Sequence, residues 1–476
     1  MYYLIVGHEF LKLLFVGVVL FSSLASGVFL RASQSPKTYP VIVIDNIQKE
    51  IVSKSIQVAG DSEIRNNNPA PYYPPIIPFA DFNLKSVLDD KQELIARSEN
   101  FIEVDLNTMQ LSIYKEGQRY KNFSVLSKGR EGSWWETPTG KYTAIVKEPN
   151  HFSSIGKVYM PYSVQFYGNF YIHGWPYYPD GSPVPTTYSG GCIRISTEDA
   201  KEVFDFIKPS MPIIIFDGEA DTLSFSYQYA NSQNPPIVSA DAFLIADLNS
   251  RKLVAFKNQE SALPIASLAK LMTAVVASEL INLDNSITAT EEMLTSNGET
   301  PGLTAGKRFK AFDLLYPLLE VSSNDAAEVI SYFIGKNQFI KAMNDKAASL
   351  GMAGSYFADT SGISGENTST LTDLLKLLEY IANKRKFILD ISKGKDHFAF
   401  GPSAFSQLPN YNHFADNDEF LGGKVGYSTA AGETMASVWK INDSNNTDRK
   451  IVIIVLGSQD RQNDTLELLN WVRYNI

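Results

Sequence analysis

At 476 residues the chain is longer than one hydrophobic core usually organises, so two domains with extensions are expected. Its 42 basic against 52 acidic side chains give a formal charge of −10 with no dense Lys/Arg stripe, which argues against nucleic acid as a partner. An apolar fraction of 44% with 20% charged residues excludes wholesale disorder.

Residues 13–30 form an 18-residue uncharged run between Lys12 and Arg31, just long enough to cross a bilayer as a helix. Export is therefore expected, to the outer side of the cytoplasmic membrane or the cell wall. Residues 1–36 read as a retained membrane anchor in preference to a signal peptide cleaved near Ser23-Leu24-Ala25. Residues 37–97 read as a polar spacer, since Asn66-Asn67-Asn68-Pro69 and Pro74-Pro75 oppose regular structure. From Phe101 the pattern changes: Ile102, Val104 and Leu106 alternate with Glu103 and Asp105, and Leu111, Ile113 and Tyr114 follow, the pattern of paired strands. A turn at Thr137-Pro138-Thr139-Gly140, a short helix over 200–207 and a buried strand over 212–216 complete a first domain at 98–217. Residues 218–239, ending in Asn234-Pro235-Pro236, read as a linker long enough for independent domains. A second domain over 240–476 opens with a hairpin at 242–248 and 252–256. Helices are then expected near 268–276, 326–334, 338–350 and 372–383, strands at 434–441 and 450–456, and a final helix at 464–472.

Two constellations carry chemistry. Cys192 is the sole cysteine, so no intrachain disulfide is available, and an unpaired thiol outside the cytoplasm needs a task. It lies in Ser189-Gly190-Gly191-Cys192-Ile193-Arg194, after Tyr171-Ile172-His173-Gly174, which suggests a thiol nucleophile with an imidazole base. Arg194 is expected to favour the thiolate and to hold a carboxylate or structure the loop, and the amides of Gly190, Gly191 and Cys192 to face a developing oxyanion. In the second half, Ser267 and Lys270 stand three residues apart on one helix face, so the amine reaches the hydroxyl, and the positive end of the helix dipole favours a neutral lysine base. Ser322 is expected to relay a proton, Asn324 to bind a substrate amide and Lys424 to dock a substrate carboxylate. Gly426 lets that strand approach closely. The five histidines show no metal-ligand spacing, and no cofactor is expected; His397 and His413 read as structural or surface residues.

The residues from about 101 to 216 resemble the L,D-transpeptidase catalytic domain of bacterial peptidoglycan cross-linking enzymes. The likeness rests on the opening strand, the Thr137-Pro138-Thr139-Gly140 turn and the His-Gly and Gly-Cys-Ile-Arg stretches. It implies a β-rich fold in which Cys192 attacks a tetrapeptide stem before its terminal D-alanine and passes the acyl group to an amine of a neighbouring stem. Gly190 stands where that family usually has histidine. Residues of about 240–457 resemble the D-alanyl-D-alanine carboxypeptidases, through Ser267-Leu268-Ala269-Lys270, Ser322-Ser323-Asn324 and Lys424-Val425-Gly426. This second likeness implies an α/β (α+β) penicillin-binding-protein or β-lactamase-like fold following the β-rich domain in a multidomain chain. It also implies an acyl-enzyme on Ser267, β-lactam inhibition, an oxyanion hole at the amides of Ser267 and Tyr427, and peptidoglycan stem peptides as partners. Val425 replaces the usual threonine and removes a hydrogen bond to the substrate carboxylate, a loss of about 1.5–3 kcal/mol that Ser428 partly offsets. The two activities would act in series, trimming pentapeptides to the tetrapeptides that the cysteine uses; the alternative is that one domain is an inactive wall-binding module.

Overall fold

The computed structural model describes residues 86–185, 189–218, 224–227, 236–294, 300–394, 405, 407–442 and 447–475, with the backbone of Asn83 and Leu84. The expected anchor at 13–30, most of the expected spacer and His397 lie outside the described residues. Among the described residues no helix is long and apolar enough to cross a membrane.

In chain order the first half runs β1 (Asn83–Leu84), α1 (Val87–Ala96), β2 (Phe101–Asp105), β3 (Gln110–Lys115), β4 (Gln118–Ser124), β5 (Gly140–Thr143), β6 (Val146–Ser153), β7 (Val158–Tyr167), β8 (Phe170–His173), β9 (Ile193–Arg194), α2 (Thr197–Phe206), β10 (Pro212–Phe216) and β11 (Phe225–Tyr227). Strands β4-β3-β2-β10-β5 form one sheet and β6-β7-β8-β9 another, which makes this half β-rich. Ile102 pairs in register with both Ile113 and Ile213 at the centre of the first sheet. The alternation around Glu103 suggests a wet face, but α1 covers it. Leu94 packs there on Phe101, Tyr114 and Ile214, and the buried Glu103 carboxylate is paired with Lys91 at 2.5 Å and Arg119 at 3.0 Å. A helix that composition assigned to the spacer thus seals the sheet.

The second half runs β12 (Ala242–Asp247), β13 (Lys252–Lys257), β14 (Leu263–Pro264), a 3-10 turn at Ala266–Leu268, α3 (Ala269–Leu280), β15 (Ser286–Thr288), β16 (Arg308–Lys310), α4 (Ala311–Leu319), α5 (Asn324–Ser331), α6 (Lys336–Ser349), β17 (Thr368–Ser369), α7 (Leu371–Lys384), α8 (Lys386–Ser392), β18 (Phe420–Ser428), β19 (Gly432–Asn442), β20 (Asp448–Ser458) and α9 (Arg461–Asn475). Its main sheet has the order β1-β11-β13-β12-β20-β19-β18. Every residue of α3 is buried, as expected of a helix apolar nearly all round, so α3 is the central rod of this mixed α/β half.

Part of the stretch read as a linker is structural. β11 lies parallel to β13 and antiparallel to β1, so segments on either side of the first domain form the edge of the second domain's sheet. The described residues fall in one compact unit, with Trp134 of the first half 5.5 Å from Phe312 of the second. At Gly168, φ +46°, an added Cβ would lie 2.1 Å from Leu280 Cδ2 at the end of α3, and at Gly140 it would lie 2.7 Å from the Ser349 carbonyl, so the halves meet backbone to surface. Between them lies a dry ionic centre. Glu279 pairs with Arg385 at 2.9 Å and Lys346 at 3.1 Å, all three fully buried, and Tyr380 donates its hydroxyl to Glu279. Lys346 Nζ lies 3.2 Å from the Tyr142 hydroxyl of β5 and 5.3 Å over the Tyr167 ring of β7, which ties the centre to the first domain. Removing one member of a buried ion group strands the others, so Glu279→Ala should lower unfolding free energy by about 3–5 kcal/mol. Urea denaturation checks this, with Asp205→Ala, at the exposed Lys201 pair, as the near-neutral comparison.

Candidate active sites

The serine centre is assembled from three elements at the start of α3. Ala266, at φ +47°, swings the chain into the turn carrying Ser267, and Ser322 sits at φ +56°. A non-glycine residue in this region costs about 1–3 kcal/mol and persists where its surroundings enforce it, often at functional sites. Ser267 and Lys270 share the first-turn face of the helix. Lys270 Nζ lies 2.9 Å from Ser267 Oγ, 2.8 Å from Asn324 Oδ1 and 2.5 Å from the Ser361 carbonyl. Burial, opposed by the Asp359 carboxylate, pulls its amine down to about 7. The lowered lysine expected from the helix dipole is found, with desolvation by burial as its largest cause.

Asn324 heads α5, and Ser323 caps that helix by accepting a hydrogen bond from the Ala326 amide at 2.9 Å. The Ser322 hydroxyl makes no hydrogen bond among the described residues, so the expected relay to Lys270 is not formed here. On β18 the fit is tight at Gly426, where an added Cβ would lie 2.8 Å from the Ser267 amide nitrogen and 2.6 Å from Thr434 Oγ1. Tyr427 follows with its ring exposed, and Ser428 Oγ accepts from the Ala431 amide at the hairpin end. Lys424 departs from its expected role as a fixed cation. It is fully buried, donates to the Val425 carbonyl at 2.7 Å, and is held well below the usual lysine range by burial and by the nearby Lys270 and Arg461 charges. Val425 packs in the apolar cluster with Met435, Trp439 and Leu468, where a methyl is better accommodated than a hydroxyl.

Two contributors lay outside the motifs. Asp359 gathers the amides of Ser361, Gly362 and Ser364 and the Asn367 side chain, shaping the loop that presents the Ser361 carbonyl to Lys270. Gly362, at φ +83°, could carry no side chain, because its Cβ would lie 1.9 Å from the Ala266 carbonyl. The Asp-x-Ser-Gly turn signature was the available signal. Arg461 donates to the Gly426 carbonyl at 3.0 Å and brings a permanent positive charge to the same strand; as an isolated arginine at a helix start it gave no signal.

The cysteine centre lies where β8 and β9 run parallel, with Ile172 opposite Ile193 and His173 opposite Arg194. That register puts Cys192 and His173 on one face of the pair. They are not hydrogen-bonded: the thiol donates to the Asn169 carbonyl at 3.6 Å, and His173 Nδ1 lies 2.6 Å from the Gly174 carbonyl. Burial holds His173 down to about 3, with the Arg194 charge acting in the same direction. Burial pushes the Cys192 thiol up to about 11, outweighing the Tyr171 backbone hydrogen bond and Arg194, so the expected arginine-stabilised thiolate gives way to a neutral thiol beside a neutral imidazole. Arg194 is itself buried, its guanidinium 5.5 Å over the Trp175 ring. The Gly191 amide donates to Ser189 Oγ at 3.0 Å and is therefore committed, which removes it from the expected oxyanion donors. Tyr171 packs against Cys192 and stacks on His151, an aromatic wall the motif reading passed over.

The sequence profile of the D-alanyl-D-alanine carboxypeptidase family matches residues 229–459. The chain is 31% identical over 257 residues to a D-alanyl-D-alanine endopeptidase of Escherichia coli, covering 51% of this chain and 80% of that protein. The chain belongs to the D-alanyl-D-alanine carboxypeptidase family. It is also 30% identical over 219 residues to a D-alanyl-D-alanine carboxypeptidase of Mycobacterium tuberculosis, covering 44% of this chain and 72% of the other. A solved D-alanyl-D-alanine carboxypeptidase from Mycobacterium tuberculosis aligns over 51% of this chain and 94% of its own at 27% identity, with a TM-score of 0.45. Ahead of this carboxypeptidase-family domain, residues 99–215 match the L,D-transpeptidase catalytic domain. The fold is therefore multidomain, a β-rich L,D-transpeptidase-type domain followed by a mixed α/β penicillin-binding-protein-type domain.

With the Lys270 amine near 7, acylation of Ser267 by a fluorescent penicillin should rise as pH passes upward through about 7 and fall away below it, because only the unprotonated amine can take the serine proton. Labelling rates between pH 5 and 9 check this. Alkylation of Cys192 by iodoacetamide should be slow at pH 7 and climb about tenfold per pH unit toward the thiol value of about 11.

Proposed function

We propose that the chain remodels peptidoglycan stem peptides at two centres. Family membership supports a serine D-Ala-D-Ala peptidase; the 2.9 Å contact between Lys270 Nζ and Ser267 Oγ carries the assignment of its nucleophile and base. Unprotonated Lys270 takes the Ser267 proton as Oγ attacks the penultimate D-alanine carbonyl. The amides of Ser267 and Tyr427 receive the oxyanion. The peptide bond breaks, the leaving D-alanine takes a proton, and water releases the tetrapeptide and frees Ser267. Asn324 aligns the substrate amide, and Arg461 with Lys424 receives the carboxylate, whose arrival favours protonation of Lys424. Ser322 joins the relay once substrate lies in the cleft, and Tyr427 and Ser428 border the cleft. Penicillins acylate the same hydroxyl.

The cysteine centre is the second half of the proposal. His173 takes the Cys192 proton, the thiolate attacks a tetrapeptide stem with loss of D-alanine, and an amine of a neighbouring stem displaces the thiol to give a cross-link. Arg194 steers the donor stem and Gly191 shapes the turn at the thiol. Conversion of pentapeptide to tetrapeptide by Ser267 supplies the donor. The N-terminal apolar run supports work outside the cytoplasmic membrane. The buried, protonated thiol gives weight to a second reading, in which the first domain binds wall peptides without turnover.

Mass spectrometry of a defined pentapeptide muropeptide treated with wild type, Ser267→Ala and Cys192→Ala separates these readings. Wild type should yield tetrapeptide and cross-linked dimer, Ser267→Ala neither, and Cys192→Ala tetrapeptide alone. Cross-linking that persists in Ser267→Ala sinks the serial scheme, and an absence of dimer with wild type favours the binding reading. Release of D-alanine from free stems separates carboxypeptidase action from endopeptidase action, the activity in the name of the Escherichia coli relative.

A further inference from the structure

The loop that walls the cysteine centre is held from the other domain. Glu136, almost wholly buried, accepts from the Gly132 amide at 2.7 Å and from Lys384 Nζ of α7 at 3.0 Å, while its carbonyl accepts from Arg385 Nη2 at 3.1 Å. The next residue passes that hold to the nucleophile's neighbour: Thr137 Oγ1 accepts from the Gly129 amide at 2.9 Å and donates to the Gly191 carbonyl at 2.8 Å. No slack exists there, since a Cβ on Gly191 would lie 2.8 Å from the Trp135 carbonyl and 2.2 Å from the Phe170 ring. On the other side of the thiol, Asn169, whose carbonyl accepts from Sγ, belongs to the turn seated on Leu280. Lys384 also reaches Asp217 at 2.6 Å, at the end of the first domain, so this one ammonium ties the Glu136 loop to that domain's end.

We propose that Lys384 and Arg385 are positioning residues for the cysteine centre: by clamping the Glu136 loop they fix, through Thr137 and Gly191, how deeply Cys192 is buried. The carboxypeptidase-family domain thereby completes a site it does not contain. Releasing the clamp lets water reach the sulfur, which eases thiolate formation while loosening the geometry that acyl transfer requires. Small-reagent reactivity and cross-linking then move in opposite directions; unfolding would do the same, so retained penicillin acylation of Ser267 and rescue by Lys384→Arg separate a released clamp from a lost fold. The cross-linking arm rests on the proposed role of Cys192; the reactivity arm does not.

The test uses full-length Lys384→Met, Lys384→Arg and Glu136→Gln proteins, in which the sole cysteine makes alkylation specific to Cys192. Iodoacetamide rates across pH 6–10 are read beside penicillin acylation of Ser267 and dimer formation from a tetrapeptide stem. Lys384→Met should alkylate about tenfold faster at pH 8, equivalent to a thiol pKa about one unit lower, form less dimer and keep its penicillin acylation. Lys384→Arg should return toward wild type, and Glu136→Gln should shift the same way to a smaller degree. Wild-type alkylation profiles in both Lys384→Met and Glu136→Gln overturn the proposal, as does penicillin acylation falling in step with every change. If Lys384→Met does not accumulate, Glu136→Gln decides by the same readouts. If wild type makes no dimer while alkylation still responds to the clamp, the transpeptidase reading fails and the positioning role stands.

Discussion

The arrangement of the molecule depends on the carboxylate of Glu279. It lies at the far end of α3, the helix whose first turn carries Lys270, and it pairs with both Arg385 and Lys346 where neither can reach water. Three charges in a dry region are tolerable only if their geometry is rigid, because desolvation exceeds the Coulomb return unless each partner is well placed. The aromatic residues Tyr142, Tyr167 and Tyr380 supply the surrounding wall. Two of them come from the first domain, so the ionic centre is complete only when both halves are docked. α3 spans 12 residues, about 18 Å at 1.5 Å per residue, and thus has the serine centre at one end and the domain interface at the other.

Burial acts in opposite senses on the two proposed nucleophile partners. For Lys270 it removes the preference for the charged form and leaves an amine able to accept a proton near neutrality. For Cys192 it disfavours the thiolate, and the adjacent Arg194 is too heavily desolvated itself to reverse the balance. A base benefits from desolvation when its useful form is neutral, whereas a nucleophile whose useful form is anionic needs a compensating contact. No hydrogen bond joins His173 to the sulfur, so that compensating contact is not made between them.

Legibility in the sequence followed the range of the interactions involved. The opening strand at Ile102, the strand at 212–216 and the helix at 371–384 were readable because their apolar spacing is local. The serine motifs were readable because Ser267 and Lys270 share a helix turn and Gly426 signals close approach. Glu103 misled, because nothing in its neighbourhood announces that α1 will cover it and that Lys91 will pair with it. Strand β6 escaped notice since the run at 146–151, none of it buried, lacks apolar alternation. The direction of the Cys192 shift was likewise unreadable, because the arginine two residues away is visible in sequence but the depth of the pocket is not. Asp359 and Arg461 act across long separations, and only the fold brings them to the site.

Leu84 and Phe225 are register partners at the sheet margin, so the polypeptide departs for the first domain and comes back to adjoining positions. Topologically, the thiol-bearing module is a guest grafted into its host on a two-legged stalk. Excising it would leave stumps already side by side, and a short reverse turn would restore host continuity. The reverse operation, lifting the guest out alone, would strip it of the Lys384 and Arg385 contacts that arrive from the host, just as excision would strip the host of the Tyr142 and Tyr167 wall of its ionic centre, so each module holds part of the other's interior.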